Sequence, residues 1–190
     1  MPQNLELKAR ITSIAEASLI TRNLGAKSMG VLRQRDIYYN VRSGRLKLRI
    51  IEQSLNFNNR IKHSSNTRNS TSKSAELIFY CRPDKRWGRY SNYLVIPVTD
   101  LKLTNELCTT ILGQKVIVEK HRQLFLYKNA RIHIDEVRKL GMFVEFEVIV
   151  SKGRIQAQYL LKFLAKQFGI QKTDTIGSSY SELLQKKRKL

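Results

Sequence analysis

The sequence predicts an α+β fold dominated by an antiparallel sheet or barrel. Strand-like stretches outnumber helical ones, and turn residues join several of them as hairpins. Three stretches also alternate strictly between charged and apolar residues: Asn4-Leu5-Glu6-Leu7-Lys8-Ala9-Arg10-Ile11, Gly44-Arg45-Leu46-Lys47-Leu48-Arg49-Ile50 and Phe143-Val144-Glu145-Phe146-Glu147-Val148. Side chains alternate across a strand, so each stretch presents one charged and one apolar face. With 190 residues, 42% of them hydrophobic, the chain can bury a real core in one domain.

The first strand spans residues 4–11. A helix follows over Ser13–Leu24, with Ile14, Ala17, Leu19, Ile20 and Leu24 apolar and Gly25 placed as a left-handed C-cap. Residues 35–41 and 45–51 form a hairpin across Ser43-Gly44. Asn, Ser, Thr, Arg and Lys crowd residues 55–74, which predicts a flexible polar loop inside the domain. Ala75–Arg82 and Ser91–Val98 pair across Pro83-Asp84-Lys85-Arg86-Trp87-Gly88, and a helix over Lys102–Leu112 ends at Gly113. Strands are expected at 115–122, 123–127, 130–137 and 142–150, then an amphipathic helix from Arg154 to Phe168, stopped by Gly169. Ser179 and Glu182 have capping-box spacing for a last short helix. Residues 1–185 thus read as one domain and 186–190 as a basic tail, the solvated end of that helix.

The net charge is +20, from 35 Lys and Arg against 15 Asp and Glu. That excess implies an anionic partner: nucleotide, polyphosphate, nucleic acid or anionic membrane. No apolar run is long enough to span a bilayer. Two cysteines, Cys81 and Cys108, lack metal-ligand spacing and fit a reduced, cytoplasmic protein, with Cys81 on a buried apolar face.

If the apolar faces lie under helices, the charged faces point inward. Cations from some strands and carboxylates from others then share one space. Arg and Lys bind phosphoryl oxygens, and carboxylates tolerate a polyanion when Mg²⁺ or Mn²⁺ lies between them. The competing reading is an open sheet with its charged face in water. His133 shares a face with Arg131 and Asp135 and is expected to hydrogen-bond a carboxylate.

The ordered motifs resemble the CYTH family of triphosphate tunnel metalloenzymes, which includes class IV adenylyl cyclases and thiamine and inorganic triphosphatases. Asn4-x-Glu6-x-Lys8 is similar to the family's ExExK signature, and Arg45-Leu46-Lys47-Leu48-Arg49 to its basic strand. Tyr80-Cys81-Arg82-Pro83-Asp84 followed by Arg89, Ser91 and Tyr93, then Glu119-Lys120-His121-Arg122, Arg131-Ile132-His133-Ile134-Asp135, Leu140-Gly141, Phe143-Val144-Glu145-Phe146-Glu147 and Ser179-Tyr180-Ser181-Glu182-Leu183-Leu184 extend the likeness over nearly the whole chain. The resemblance implies an eight-stranded antiparallel barrel, open at its ends, with helices packed outside and triphosphate in the lumen. It implies Glu6, Glu145, Glu147 and Asp135 as ligands of Mg²⁺ or Mn²⁺. It implies Lys8, Arg10, Arg45, Lys47, Arg49, Arg82, Lys120 and Arg122 as triphosphate-binding residues, with Lys8, Lys120 and Asp135 as catalytic ones.

The expected function is a metal-dependent reaction of a triphosphate: hydrolysis of inorganic, nucleoside or thiamine triphosphate, or cyclisation of ATP. The sequence departs from the family at Asn4, where the signature has its first Glu, at Met142 and at Trp87-Gly88. These departures, with the net charge, support an alternative: a catalytically weak or inactive module that binds polyphosphate, nucleotide or RNA.

Overall fold

A computed structural model describes residues 1–54, 71–151 and 153–188. The elements run β1 (Gln3–Arg10), α1 (Ile14–Asn23), β2 (Lys27–Tyr39), β3 (Arg45–Ser54), β4 (Thr71–Cys81), β5 (Arg89–Pro97), α2 (Leu101–Leu112), β6 (Gln114–Tyr127), β7 (Ala130–Val137), β8 (Gly141–Ile149), α3 (Arg154–Gln167) and α4 (Tyr180–Arg188), with a 3₁₀ turn at Lys172–Asp174. The strands close into a barrel in the order β1-β5-β4-β3-β2-β6-β7-β8, all pairs antiparallel. Closure removes both sheet edges and fixes which residues face the lumen.

The alternation read from the sequence sets the two faces. Leu5, Leu7 and Ala9 of β1 and Val144, Phe146 and Val148 of β8 face outward and are buried with Ala17 of α1 and Leu161 and Leu164 of α3. On the other side, Ile37, Tyr39 and Leu48 pack with Leu101, Cys108 and Leu112 of α2. Each such fully buried aliphatic side chain contributes roughly 1.5–3 kcal/mol relative to exposure. The expected caps form: Ser13 Oγ accepts from Glu16 N–H, and Gly25 has φ +76°. At α4, Glu182 accepts from Ser179 N–H at 2.8 Å while Ser179 Oγ accepts from Glu182 N–H at 3.3 Å.

A third apolar cluster lies inside the barrel. Tyr38, Val116, Val118, Val137 and Phe143 face the lumen at one end, and Tyr180 and Leu184 of α4 pack onto them. The expectation of a barrel open at both ends is therefore corrected: α4 lies across one end, because its apolar side needs the cover that this inner cluster provides.

Several boundaries differ from expectation. β2 begins at Lys27 rather than at residue 35; its pairing with β6 shifts register between Ser28 and Val31, around Gly30 at φ +96°, and the irregularity hides the alternation. The stretches 115–122 and 123–127 are one strand, β6, since no turn residue interrupts Arg122-Gln123 and both pair with β7. β4 begins at Thr71, so residues 71–74 of the expected loop are strand, paired with β3; residues 55–70 of that loop lie outside the described residues. Cys81 is exposed, not buried, for it ends β4, on which none of the four helices chiefly packs. Lys186, Lys187 and Arg188 belong to α4. No described helix is long and apolar enough to cross a membrane.

The segment before α4 is pressed against the β4–β5 connection. A Cβ on Gly177 would lie 2.5 Å from the Asp84 carbonyl oxygen. Gly177→Ala is expected to lower stability by about 1–3 kcal/mol, read by thermal denaturation, because backbone rather than a flexible side chain must give way.

Candidate functional site

Strand register builds the site. β1 and β8 set Glu6 opposite Glu147 and Lys8 opposite Glu145. β7 and β8 set Arg131 opposite Glu147 and His133 opposite Glu145. β6 and β7 set Arg122 opposite Asp135, and β2 and β3 set Asp36 opposite Arg49. Cross-strand partners share a face, so these groups converge in the lumen. With Lys47, Arg82 and Lys120 they surround a cavity of about 360 Å³, except Asp36 and Asp135, which lie behind its lining.

Two buried ion-pair clusters organise its floor. Asp36 is 1% exposed and accepts from Arg49 Nε at 2.7 Å, Arg49 Nη2 at 2.9 Å and Lys47 Nζ at 3.1 Å, with Lys120 Nζ 3.8 Å away. Burial would raise its carboxyl, but the charges of Arg49, Lys47 and Lys120 outweigh burial and hold it well below the usual range. Asp135 accepts from both ends of the Arg122 guanidinium at 2.6 Å and from the Tyr180 hydroxyl at 2.9 Å. Here too burial raises the carboxyl and Arg122 and Lys120 lower it, to about 2. Arg122 also reaches Glu145 at 3.2 Å.

The lysines are unevenly matched. Lys120 is buried among Arg122, Asp135, Asp36 and Arg49, and burial followed by the Arg122 charge pulls it down to about 7. Lys8 Nζ lies 3.5 Å from Glu145 and 3.8 Å from the Tyr180 ring centroid. Glu6 lies 3.6 Å from both Arg82 and Arg89. Burial nonetheless pushes it up to about 7; Arg82 opposes the rise, while Glu147 and Glu145 add to it.

A divalent cation fits one part of this lining. His133 Nδ1 and carboxylate oxygens of Glu145 and Glu147 lie within 4.8 Å of one another. Among the described residues, His133 Nδ1 and the buried Asn4 Oδ1 have no hydrogen-bond partner. The orphaned imidazole nitrogen beside two carboxylates gives a mixed oxygen and nitrogen donor set of the kind that holds a divalent cation.

The structure gathers most of the expected residues, with three departures. Lys8, Lys47, Arg49, Arg82, Lys120, Arg122, Glu6, Glu145 and Glu147 line the cavity. Asp135 stands behind it, its oxygens taken by Arg122 and Tyr180. Arg45 is drawn away by Glu182 and Asp84, each 2.6 Å from its Nη2. Arg10 is exposed at the end of β1, where it donates to the Leu140 carbonyl at 2.9 Å and covers Phe143. Sequence reasoning missed Asp36, and it quoted Arg89 and Tyr180 in the family motifs without giving either a role in the site. Arg89 is fully buried, donates to the Ile176 carbonyl at 2.6 Å and lies 3.9 Å from Glu145. The register of the β2–β3 hairpin, which sets Asp36 opposite Arg49, was the signal available for Asp36.

The CYTH domain profile matches residues 2–180. No curated protein sequence matches the chain. Among solved structures, the PH1012 protein from Pyrococcus horikoshii OT3 superposes with a TM-score of 0.74 at 23% identity, covering 95% of this chain and 98% of that one. A candidate adenylate cyclase from Vibrio parahaemolyticus gives 0.68 at 18% identity, covering 96% and 97%. The candidate adenylyl cyclase HpAC1 from Hippeastrum, described as having a dominant triphosphatase activity, gives 0.59 at 13% identity, covering 95% and 93%. At these identities the superpositions show a shared fold.

Proposed function

Because the chain belongs to the CYTH domain family, we propose that it is a metal-dependent enzyme acting on a triphosphate, hydrolysis ranking ahead of cyclisation of ATP. One observation carries this reading: in a lumen covered by α4 at one end, a bank of buried cations faces the Glu145–Glu147–His133 cluster. Lys47, Arg49, Lys120 and Arg122 are placed to hold phosphoryl oxygens, Arg122 oriented by Asp135. Glu145, Glu147 and His133, with Glu6 nearby, would hold a divalent cation, which would supply charge neutralisation and Lewis-acid chemistry at the phosphates. Lys8 and Lys120 would lie against the phosphates, and Lys120, close to neutrality in its proton balance, suits proton transfer at the reacting oxygen. Asp135 serves as a positioning residue. The preformed cations would stabilise charge developing in the transition state without reorganisation.

The test is release of phosphate, pyrophosphate and cyclic AMP from inorganic triphosphate, ATP and thiamine triphosphate, with Mg²⁺, with Mn²⁺ and with chelator. Metal-dependent turnover is expected, and the product separates hydrolase from cyclase. Glu6→Gln and Glu147→Gln are each expected to lower turnover by about 100-fold or more; wild-type turnover in both variants would overturn the assignment.

Asn4 favours a second reading, a non-catalytic tunnel for polyanions. Its side chain lines the cavity as a neutral amide where a carboxylate would bring charge to a cation. Under that reading the same anions bind tightly without turnover. RNA on the basic exterior would then bind with a steep loss of affinity as salt rises.

A further inference from the structure

The outside of the barrel is covered unevenly. α3 packs on β8 and β1 and reaches Tyr90 of β5, to whose hydroxyl Gln158 donates. α2 lies on β2 and β3, with Leu77 of β4 at its edge. Between these two helices lies the outer face of β4 and β5, on which no described helix chiefly packs. Glu76, Ile78 and Tyr80 of β4 and Ser91, Tyr93 and Val95 of β5 line the cavity, so the residues between them point outward. Phe79 stands opposite Leu94 and Leu77 opposite Ile96. Leu94 and Ile96 are 48% and 59% exposed.

α2 adds a second apolar surface beside the first. Leu101, Cys108 and Leu112 face the barrel, and Leu103, Leu107 and Ile111 form a row along the side away from it. They are 61%, 56% and 69% exposed. The outward residues of β4 from Ala75 to Cys81, those of β5 from Asn92 to Ile96, and the row on α2 hold no charge, on a molecule of net charge +20. The five exposed aliphatic side chains present on the order of 500 Å², in the upper range for a soluble monomer and more than half of what one partner gives a standard interface.

We infer that this surface joins two copies of the chain, the α2 row of each seated on the bare β4–β5 face of the other. Row and face lie side by side on one copy, so a two-fold axis between them brings both pairs together at once. That is the self-complementarity a closed dimer requires. Each bare face gains the helical cover that β1, β8, β2 and β3 already have. Charge selects the occupant: two copies at +20 repel through most of their surface, and this uncharged region is where they can meet. An anionic partner is drawn to the basic residues instead. The association lies outside the barrel and is independent of the triphosphate reading.

The experiment is sedimentation velocity of the intact protein over a concentration series, for wild type, Leu107→Glu, Ile96→Lys and an equimolar mixture of the two variants. Both substitutions sit at exposed positions, and circular dichroism checks each fold. Wild type is expected to be dimeric at about 10 µM. Each variant alone buries an unpaired charge at both contacts and should weaken dimerisation about 100-fold or more. In the mixture one contact is native and the other sets the new carboxylate against the new ammonium. A heterodimer should therefore return to within about tenfold of wild-type affinity. A monomeric wild type overturns the inference, and retention of that monomer on phosphatidylcholine vesicles would assign the surface to lipid. A dimer that survives both substitutions uses another surface and overturns it too. Two monomeric variants whose mixture stays monomeric overturn the reciprocal seating.

Discussion

Asp36→Asn is expected to destabilise the ligand-free protein by about 3–5 kcal/mol, the range for breaking a buried ion pair from one side. For a chain of this size that lowers the melting temperature by about 10 °C. The reason lies in what remains: Lys47, Arg49 and Lys120 converge on Asp36, and the substitution leaves the Lys47 and Arg49 charges buried without their counter-charge and Lys120 with Asp135 alone, 3.9 Å away. The same cations line the cavity. Inorganic triphosphate or ATP should therefore stabilise the variant more than it stabilises wild type. Thermal denaturation with and without each anion reads both effects. Equal stabilisation of the two proteins would mean that these cations do not meet the ligand.

Arg122→Met should bring a loss of similar size and the opposite ligand response. It strips Asp135 of a bidentate partner and Glu145 of a contact, leaving carboxylates rather than cations in excess. A polyanion should give this variant less help than wild type; Mn²⁺ should give more. The pH dependence follows from Asp135. In wild type its carboxyl is held at about 2, against an ordinary 3.8; burial opposes this, and Arg122 and Lys120 prevail. That contribution to stability is complete above about pH 4 and is lost as pH falls towards 2. Without Arg122, burial dominates and the folded carboxyl rises above its unfolded value. The variant should then gain stability relative to wild type as pH falls towards that unfolded value. Melting curves between about pH 3 and 7 test the crossover; parallel curves would remove Asp135 from the account.

Much of this arrangement was legible because strand alternation is local. Glu6 and Lys8 declare a lumen face, and Leu5 and Leu7 an outer one, by order alone. The capping box at Ser179 and Glu182 and the left-handed Gly25 were equally local. What stayed hidden depends on partners distant in the chain. Arg45 shares a strand face with Lys47 and Arg49, but Glu182, fixed by its role in capping α4, captures it. Arg10 continues the pattern of Glu6 and Lys8 past the point where Phe143 closes the lumen. Asp36 lies alone in sequence between Arg35 and Ile37, and only the barrel brings Lys120 to it from the side opposite Arg49. His133 was expected to hydrogen-bond a carboxylate; instead it stands 3.9 Å from Glu145 and 3.7 Å from Glu147, a distance a ligand can fill.

The seam between β1 and β8 ties the site to the way the chain folds. Lys8 meets Glu145, and Glu6 meets Glu147, only when a strand near the chain's beginning finds one that follows nearly everything else. Such long-range pairing carries a large loop-closure entropy and folds slowly. Until it forms, the lysine and the two carboxylates sit on separate, partly structured pieces with no shared ligand. Triphosphate binding that uses Lys8 should therefore appear in a refolding experiment no earlier than ring closure itself, whereas His133, Glu145 and Glu147 share the local β7–β8 hairpin and can meet a cation before it.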